Sequence, residues 1–322
     1  AEYVKNDPST LHLIYPEAYL EEADPEKRIK SINSAMQDYI QNGIFTTYQN
    51  CFFLVHRTTG NCPSGRWGLL VTLDLEHYDY AKDSRTLIRA TEGTILSRIP
   101  PRKEIRRNAP LELPHIMVLI NDEKRSVIEP LTKKTEQLKQ AYDTELMAGG
   151  GHLSAWVVDR QEDLEAIALA VKAMHDSLDP SNPLLFAMGD GNHSLATAKS
   201  CWMDIKQTLS EEELQNHPAR YALVELENIF DPGLEFEPIH RVLFNLSKDT
   251  FLQEITKVCT SYVEKKVPSK EEVVAQINVN DGLQKFGYCD ADGCSVIVLQ
   301  QPKASIAAGT LQLVIDSLLA HK

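Results

Sequence analysis

Apolar and polar residues alternate along this chain with two periods, and the switches between them mark out its elements. Between residues 16 and 43, Ile29, Ile32, Met36 and Ile40 recur at helical spacing behind Asp24-Pro25, which predicts a helix. Two β-rich apolar runs, CFFLVHRTTG from Cys51 and RWGLLVTLDL from Arg66, flank a Gly/Pro/Ser turn and predict a hairpin with a long loop. Residues 82–107 are expected to begin helical and to be broken at Pro100-Pro101. Strand-like and helix-like stretches then take turns. HIMVLIND reads as a strand, 126–147 as a helix, and HLSAWVVDR as a strand. EDLEAIALAVKAMHDSL follows as an amphipathic helix with Leu164, Ile167, Ala168, Val171 and Met174 on one face. LLFAMGD reads as a strand and NHSLATAKSCWMDI as a helix.

Past about residue 210 the texture changes. ARYALVELENIF, EFEPIHRVLF, FGYCDADG and SVIVLQQ read as strands, and DADG is a hairpin turn signal. Residues 248–264, 269–277 and 304–320 read as helices. The pattern predicts an α+β (mixed α/β) chain. An N-terminal domain, 1–210, would hold a mixed sheet with packed helices. A smaller α+β region, 211–322, would follow.

Composition narrows the partners. The chain has 322 residues, 43% of them hydrophobic and 25% charged, with a net charge of −13. That balance argues against nucleic acid and anionic membranes, so any anion site must be a local cationic island. No run approaches the ~18 apolar residues of a membrane span, and no signal peptide is visible. The six cysteines form no CxxC and no metal-type pairing with histidine, so free thiols in a reducing cytoplasm are expected. Without an initiator Met, and ending on Leu-Leu-Ala-His-Lys, the chain reads as a fragment of a longer protein.

Chemistry concentrates where LLFAM stops at Gly189-Asp190-Gly191-Asn192-His193-Ser194 and a small-residue helix begins. A helix start offers unpaired N–H groups and about half a positive charge, and a glycine before it lets a ligand approach the backbone. Strand, glycine turn and helix together suit a phosphate-type anion. The same residues are also good turn and N-cap chemistry with no ligand. Neither a GxxxxGK loop nor a GxGxxG fingerprint is present. A second feature favours the ligand. Between Arg85 and Arg107 stand seven cations, Arg89, Arg98, Arg102 and Arg106 among them, against only Glu92 and Glu104. Arginine is suited to bidentate capture of phosphate or carboxylate, and neighbouring arginines keep Glu92 ionised as a base. His240-Arg241, after the Asp231-Pro232-Gly233 turn, is a further binding candidate.

Three blocks, IRATEGTILSRIPPRKEIRRNAP, MGDGNHSLATA and DPGLEFEPIHRVLF, occur in the order found in Domain of Unknown Function family 1015, which the chain resembles along nearly its whole length. The family corner usually reads Asp-Gly-His-His-Arg. Here Asp190, Gly191 and His193 match, while Asn192 replaces the first histidine and Ser194 the arginine. That Asp-Gly-x-x-Arg pattern is itself similar to the phosphate-binding corner of the ParB/sulfiredoxin superfamily, which includes free-serine kinases. The resemblance implies a nucleotide-dependent phosphotransferase, Mg²⁺-assisted and using ADP or ATP, acting on a small amino or hydroxy acid and linked to serine metabolism. In that scheme Glu92, Asp190 and His193 are catalytic, and Asp190 also holds the metal. Gly191, Asn192, Ser194, Arg89, Arg98, Arg106, His240 and Arg241 bind the ligand. Without the family arginine, a non-catalytic regulator that binds a small anionic metabolite or nucleotide is the alternative. Lys199 or the upstream arginines would have to supply the missing charge.

Overall fold

The computed structural model describes residues 4–20, 22, 24–234 and 240–320. Asp24 caps the first helix, α1 (Pro25–Gln41), by accepting from the Lys27 N–H, and Pro25 sits in the first turn, where a missing N–H costs nothing. The helix starts at that cap, so residues 16–24 lie outside it. The predicted hairpin follows as β1 (Phe52–Thr58) and β2 (Arg66–Asp74), antiparallel with Leu54 opposite Leu69. After β3 (Tyr78–Asp79) and β4 (Ile88–Arg89), the helix α2 (Ile99–Arg106) runs opposite to expectation. Pro100-Pro101 opens this helix instead of ending one, because the first helical positions have no intrahelical N–H bond for proline to break.

β5 (Met117–Ile120) precedes α3 (Glu129–Thr132), and the chain then forms the strand β6 (Lys139–Glu145) where a helix over 126–147 was expected. Nearly all of β6 is exposed, and it pairs only with β7 (His152–Val158) at the sheet edge. An edge strand wet on both faces has no apolar alternation to betray it, so helix-forming side chains misled the reading. α4 (Gln161–Asp176), β8 (Phe186–Asp190), α5 (Asn192–Ile205), α6 (Glu211–Asn216) and β9 (Tyr221–Asn228) complete this part.

Among the described residues these nine strands form one mixed sheet in the order β3-β4-β8-β5-β9-β2-β1-β7-β6. β4 pairs parallel with β8, β8 antiparallel with β5, and β5 parallel with β9. Leu69 of β2, Val118 of β5, Leu226 of β9, Ile167 of α4, and Leu195 and Trp202 of α5 belong to one buried core. Burying such side chains, at ~1.5–3 kcal/mol each, holds α5 against the sheet and so fixes where its first residues point.

The chain divides into two compact units, 1–235 and 236–322. Residue 210 falls inside the first, because β9 is a central strand of its sheet. In the second unit, α7 (Lys248–Ile255) and α8 (Lys270–Ile277) alternate with β10 (Ser261–Val267), β11 (Gln284–Asp290) and β12 (Gly293–Gln300), and α9 (Ala307–Ala320) ends it. The helix expected over 248–264 therefore stops early, and its last residues begin β10. Phe251, Ile255, Ile297, Leu299 and Val314 form this unit's core. Of the expected strand EFEPIHRVLF, 235–239 lie outside the described residues, and 240–244 have no regular structure. Cys289 and Cys294 stand directly opposite across the hairpin and are joined as a disulfide, which corrects the expectation of six free thiols. The other four are free.

The first unit is thus a large mixed sheet with packed helices and the second a smaller α+β unit. No helix among the described residues is long and apolar enough to cross a membrane.

Candidate functional site

β8 ends at Asp190, opposite Met117 at an irregularity in the β5 pairing. Gly191 turns the chain with φ at +84°, the left-handed region that glycine enters without penalty. A Cβ there would also lie a tight 3.2 Å from Ile116 Cα, so the turn favours glycine for two reasons. Asp190 accepts from the Gly191 N–H at 2.6 Å and steadies the turn. α5 then starts with no capping side chain and no acid in its first turn. Its opening N–H groups are left to an external acceptor, and the helix dipole favours an anion there.

Three side chains of that turn are already placed. Asn192 is 5% exposed; its Nδ2 donates to Glu92 Oε1 at 3.4 Å, while its buried Oδ1 has no partner. His193 accepts from the Ile95 N–H at Nε2, 3.1 Å away. The neutral ring therefore carries its proton on Nδ1. Burial, then the nearby Arg98 and Arg102 guanidiniums, pull the His193 pKa below the ordinary imidazole value, against the opposing pull of Glu92 and Glu17. Ser194 meets His115 Nε2 at 2.8 Å. His115 Nδ1 faces the Leu113 carbonyl at 3.2 Å and must donate to it, so Nε2 accepts the Ser194 hydroxyl proton. That hydroxyl is no longer a free donor for an anion, although the Ser194 backbone N–H is.

The arginine-rich segment splits in two. α2 packs along α5, with Lys103 paired to Asp204 at 2.6 Å. Arg98, just before α2, and Arg102, one turn later, are the cations that act on His193. Arg98 has no ion-pair partner among the described residues, whereas Arg102 holds Glu17 at 2.7 Å. The other expected ligands are committed elsewhere. Arg89 donates to Ser84 O, Asn182 Oδ1 and Pro183 O, and Arg106 pairs with Glu112 at 2.6 Å. Lys199 donates to Leu75 O at 2.7 Å and so does not stand in for the family arginine. His240 and Arg241 lie in the second unit, both exposed. The structure thus gathers Glu92, Arg98, Asp190, Gly191, Asn192, His193 and Ser194 at one end of α5. It adds Arg102, named in the basic segment but not among the expected ligands, and His115, which sequence reasoning missed; the i, i+4 spacing of Arg98 and Arg102 was the available signal.

Two features lie away from this corner. A cavity of about 820 Å³ between α4 and the sheet is lined by Phe52, Leu69, Leu164, Ile167, Val171 and Phe186 and shares no residue with it. Its walls are mostly apolar, with Lys172 and His175 among them. On β9, Glu227 is 1% exposed and 2.8 Å from Arg66 Nε, with Glu225 beside it. Burial, then the Glu225 charge, push the Glu227 pKa up to about 8.

A family model described as "Protein of unknown function (DUF1015)" matches residues 1–318. No curated protein and no solved structure matches the chain.

Proposed function

We propose, for a chain that belongs to the DUF1015 family, that the start of α5 binds a phosphate-bearing small molecule and that the protein is a nucleotide-dependent phosphotransferase acting on a small amino or hydroxy acid. The observation that carries this reading is the start of α5: a left-handed glycine, no capping side chain, no acid in the first turn, and Arg98 beside it with Arg102, which holds Glu17. Backbone N–H groups and the unpaired Arg98 guanidinium, with Arg102 able to join by exchanging its exposed partner Glu17, suit the spread negative charge of a phosphoryl group in transfer, where positioning and electrostatics supply nearly all the catalysis. Glu92, an exposed carboxylate hydrogen-bonded to Asn192, is placed to take the proton of an acceptor hydroxyl. The acceptor oxygen then bonds to phosphorus as the bond to the departing nucleotide breaks, and Glu92 keeps the proton.

Mg²⁺ fits as a sparsely held ion. Among the described residues no group of three or more His, Cys, Asp or Glu side chains is arranged for a metal. Mg²⁺ is commonly held by one or two carboxylates plus phosphate oxygens. Asp190 is exposed with one oxygen on Gly191 N–H and is the residue that would hold the ion. Bound there, Mg²⁺ would neutralise phosphate charge. We place the activity in the cytoplasm, where ADP and ATP are abundant.

One observation favours a second reading, a non-catalytic regulator that binds a small anion or nucleotide. The family arginine is absent, Ser194 is tied to His115, and Lys199 to Leu75 O. One experiment separates the two. ADP or ATP with Mg²⁺ and a panel of amino and hydroxy acids is followed by phosphorus NMR, with nucleotide binding measured in parallel. The enzyme reading expects a phosphorylated product, reduced about a hundredfold in Glu92→Gln. Saturable binding without product supports the regulator, and no binding refutes both.

A further inference from the structure

We infer that His193 is a positioning residue rather than a ligand to the anion: the lone pair of its Nε2 pins the 91–98 segment, which carries Glu92 and Arg98, across the start of α5. This inference rests on the anion-site reading but is decided by different observations.

The segment from Thr91 to Arg98 is irregular until the short turn at Leu96–Arg98. Its side chains give it little packing, with Ile95 47% and Leu96 65% exposed. Hydrogen bonds must therefore hold it. Three attach it to β8 and α5: Thr91 Oγ1 donates to Met188 O at 2.8 Å, Asn192 Nδ2 to Glu92 Oε1 at 3.4 Å, and Ile95 N–H to His193 Nε2 at 3.1 Å. The Ile95 bond is the one nearest to Arg98. It ties the two candidate groups of the segment, a base and a cation, to the first turn of α5.

That bond needs a neutral ring. A protonated His193 would set an N–H against the Ile95 N–H, and the two donors repel. The charged groups acting on the ring are Arg98 and Arg102 from the α2 region, Glu92 from the segment and Glu17 from the N-terminal region. His115, which precedes β5 and is bonded to Ser194, is a further titratable neighbour of the first turn of α5.

The two roles for His193 differ in sign. A histidine that touched the anion would bind it more tightly once protonated, because it gains charge. A histidine that pins the segment would bind it less tightly, because protonation releases Arg98 and Glu92. Inorganic sulfate is the suitable probe, since its charge is constant between pH 5 and 8, unlike that of phosphate.

The test measures the hydrogen-exchange protection of the Ile95 amide and the sulfate affinity of the full chain across that range, in wild type, His193→Ala and His193→Gln. The Gln side chain keeps an acceptor near the Nε2 position and cannot titrate. We expect Ile95 protection to fall about tenfold in His193→Ala, in keeping with one hydrogen bond. It falls likewise in wild type on acidification, and stays high in His193→Gln at every pH. Relative to His193→Gln, wild-type sulfate affinity weakens as pH falls. Tighter sulfate binding on acidification, or equal Ile95 protection in His193→Ala and wild type, overturns the inference. Should wild type bind no sulfate at any pH, the anion-site reading fails and the exchange data alone decide whether His193 holds the segment.

Discussion

α4 and α5 each begin within three residues of a strand in the same sheet, yet their first turns are built in opposite ways. α4 places Glu162 and Asp163 in its first turn. Asp163 is 1% exposed and held by Lys134 at 2.6 Å and Arg160 at 2.7 Å. Burial pushes its pKa up, but the bonds from Lys134 and Arg160 outweigh it and hold the carboxyl below the usual range. α5 has no first-turn acid and a left-handed glycine before it, with Arg98 and Arg102 near the opening and Asp190 and Glu92 at its edge. Both helices have the same dipole. Neither helix has a side-chain cap, but the first turn of α4 carries a buried carboxylate held by two cations, while the first turn of α5 carries none and has Arg98 and Arg102 near it. The proposed anion site rests on that difference in first-turn charge.

The comparison breaks most readily on the closed side. Asp163→Ala leaves Lys134 and Arg160 without their carboxylate, and the loss in stability should be about 3 kcal/mol. Urea unfolding measures it, and a loss under about 1 kcal/mol would mean that the Asp163 pair does not hold the start of α4. Because the folded Asp163 pKa is lowered, its contribution is present above the unfolded value of 3.8 and disappears as pH falls through the folded one. Wild type and Asp163→Asn should therefore converge in stability only below the ordinary aspartate range.

On the open side the same chemistry should cost binding and not stability. Ser194→Asp puts a carboxylate into the first turn of α5, as α4 already has. Nucleotide affinity should fall at least tenfold, while stability is unchanged or rises by up to about 1 kcal/mol. Unaltered affinity in a stably folded variant would show that the end of α5 is not where the ligand sits.

The arginines sharpen the contrast further. Arg98→Ala and Arg102→Ala should each weaken nucleotide binding by about tenfold, the worth of one charge-assisted hydrogen bond of ~1.5 kcal/mol. Arg89→Ala should leave affinity within twofold and lower stability by about 1 kcal/mol, since its guanidinium holds Ser84 O, Asn182 and Pro183 O. A reversal of that order, read by calorimetry and urea unfolding, would reassign the basic segment.

These differences explain what the sequence showed and what it hid. The corner was legible because Gly191 and the switch from apolar strand to small-residue helix are local signals. The second unit's hairpin was legible for the same reason, through DADG and two apolar runs. The division of the arginines was not, because Arg89 and Arg98 look alike until β4 carries one toward the 181–183 loop and α2 turns the other toward α5. Pro100-Pro101 misled in the same way, since proline both stops a helix and starts one and only the following turn decides. β6 was hidden by its edge position, wet on both faces. Glu225 and Glu227 did leave a trace, two acids two residues apart in an otherwise apolar strand, but their joint burial with Arg66 depends on the register with β2.

The most direct measurement is a titration of the isotope-labelled protein with ATP, followed at the backbone amides of Asn192, His193 and Ser194. We predict that these three resonances shift together and saturate, and that the shifts are lost in the Arg98→Ala/Arg102→Ala double variant. Saturable binding that leaves those amides unmoved, or no binding at all, would contradict the claim that α5 is open because it receives a phosphate.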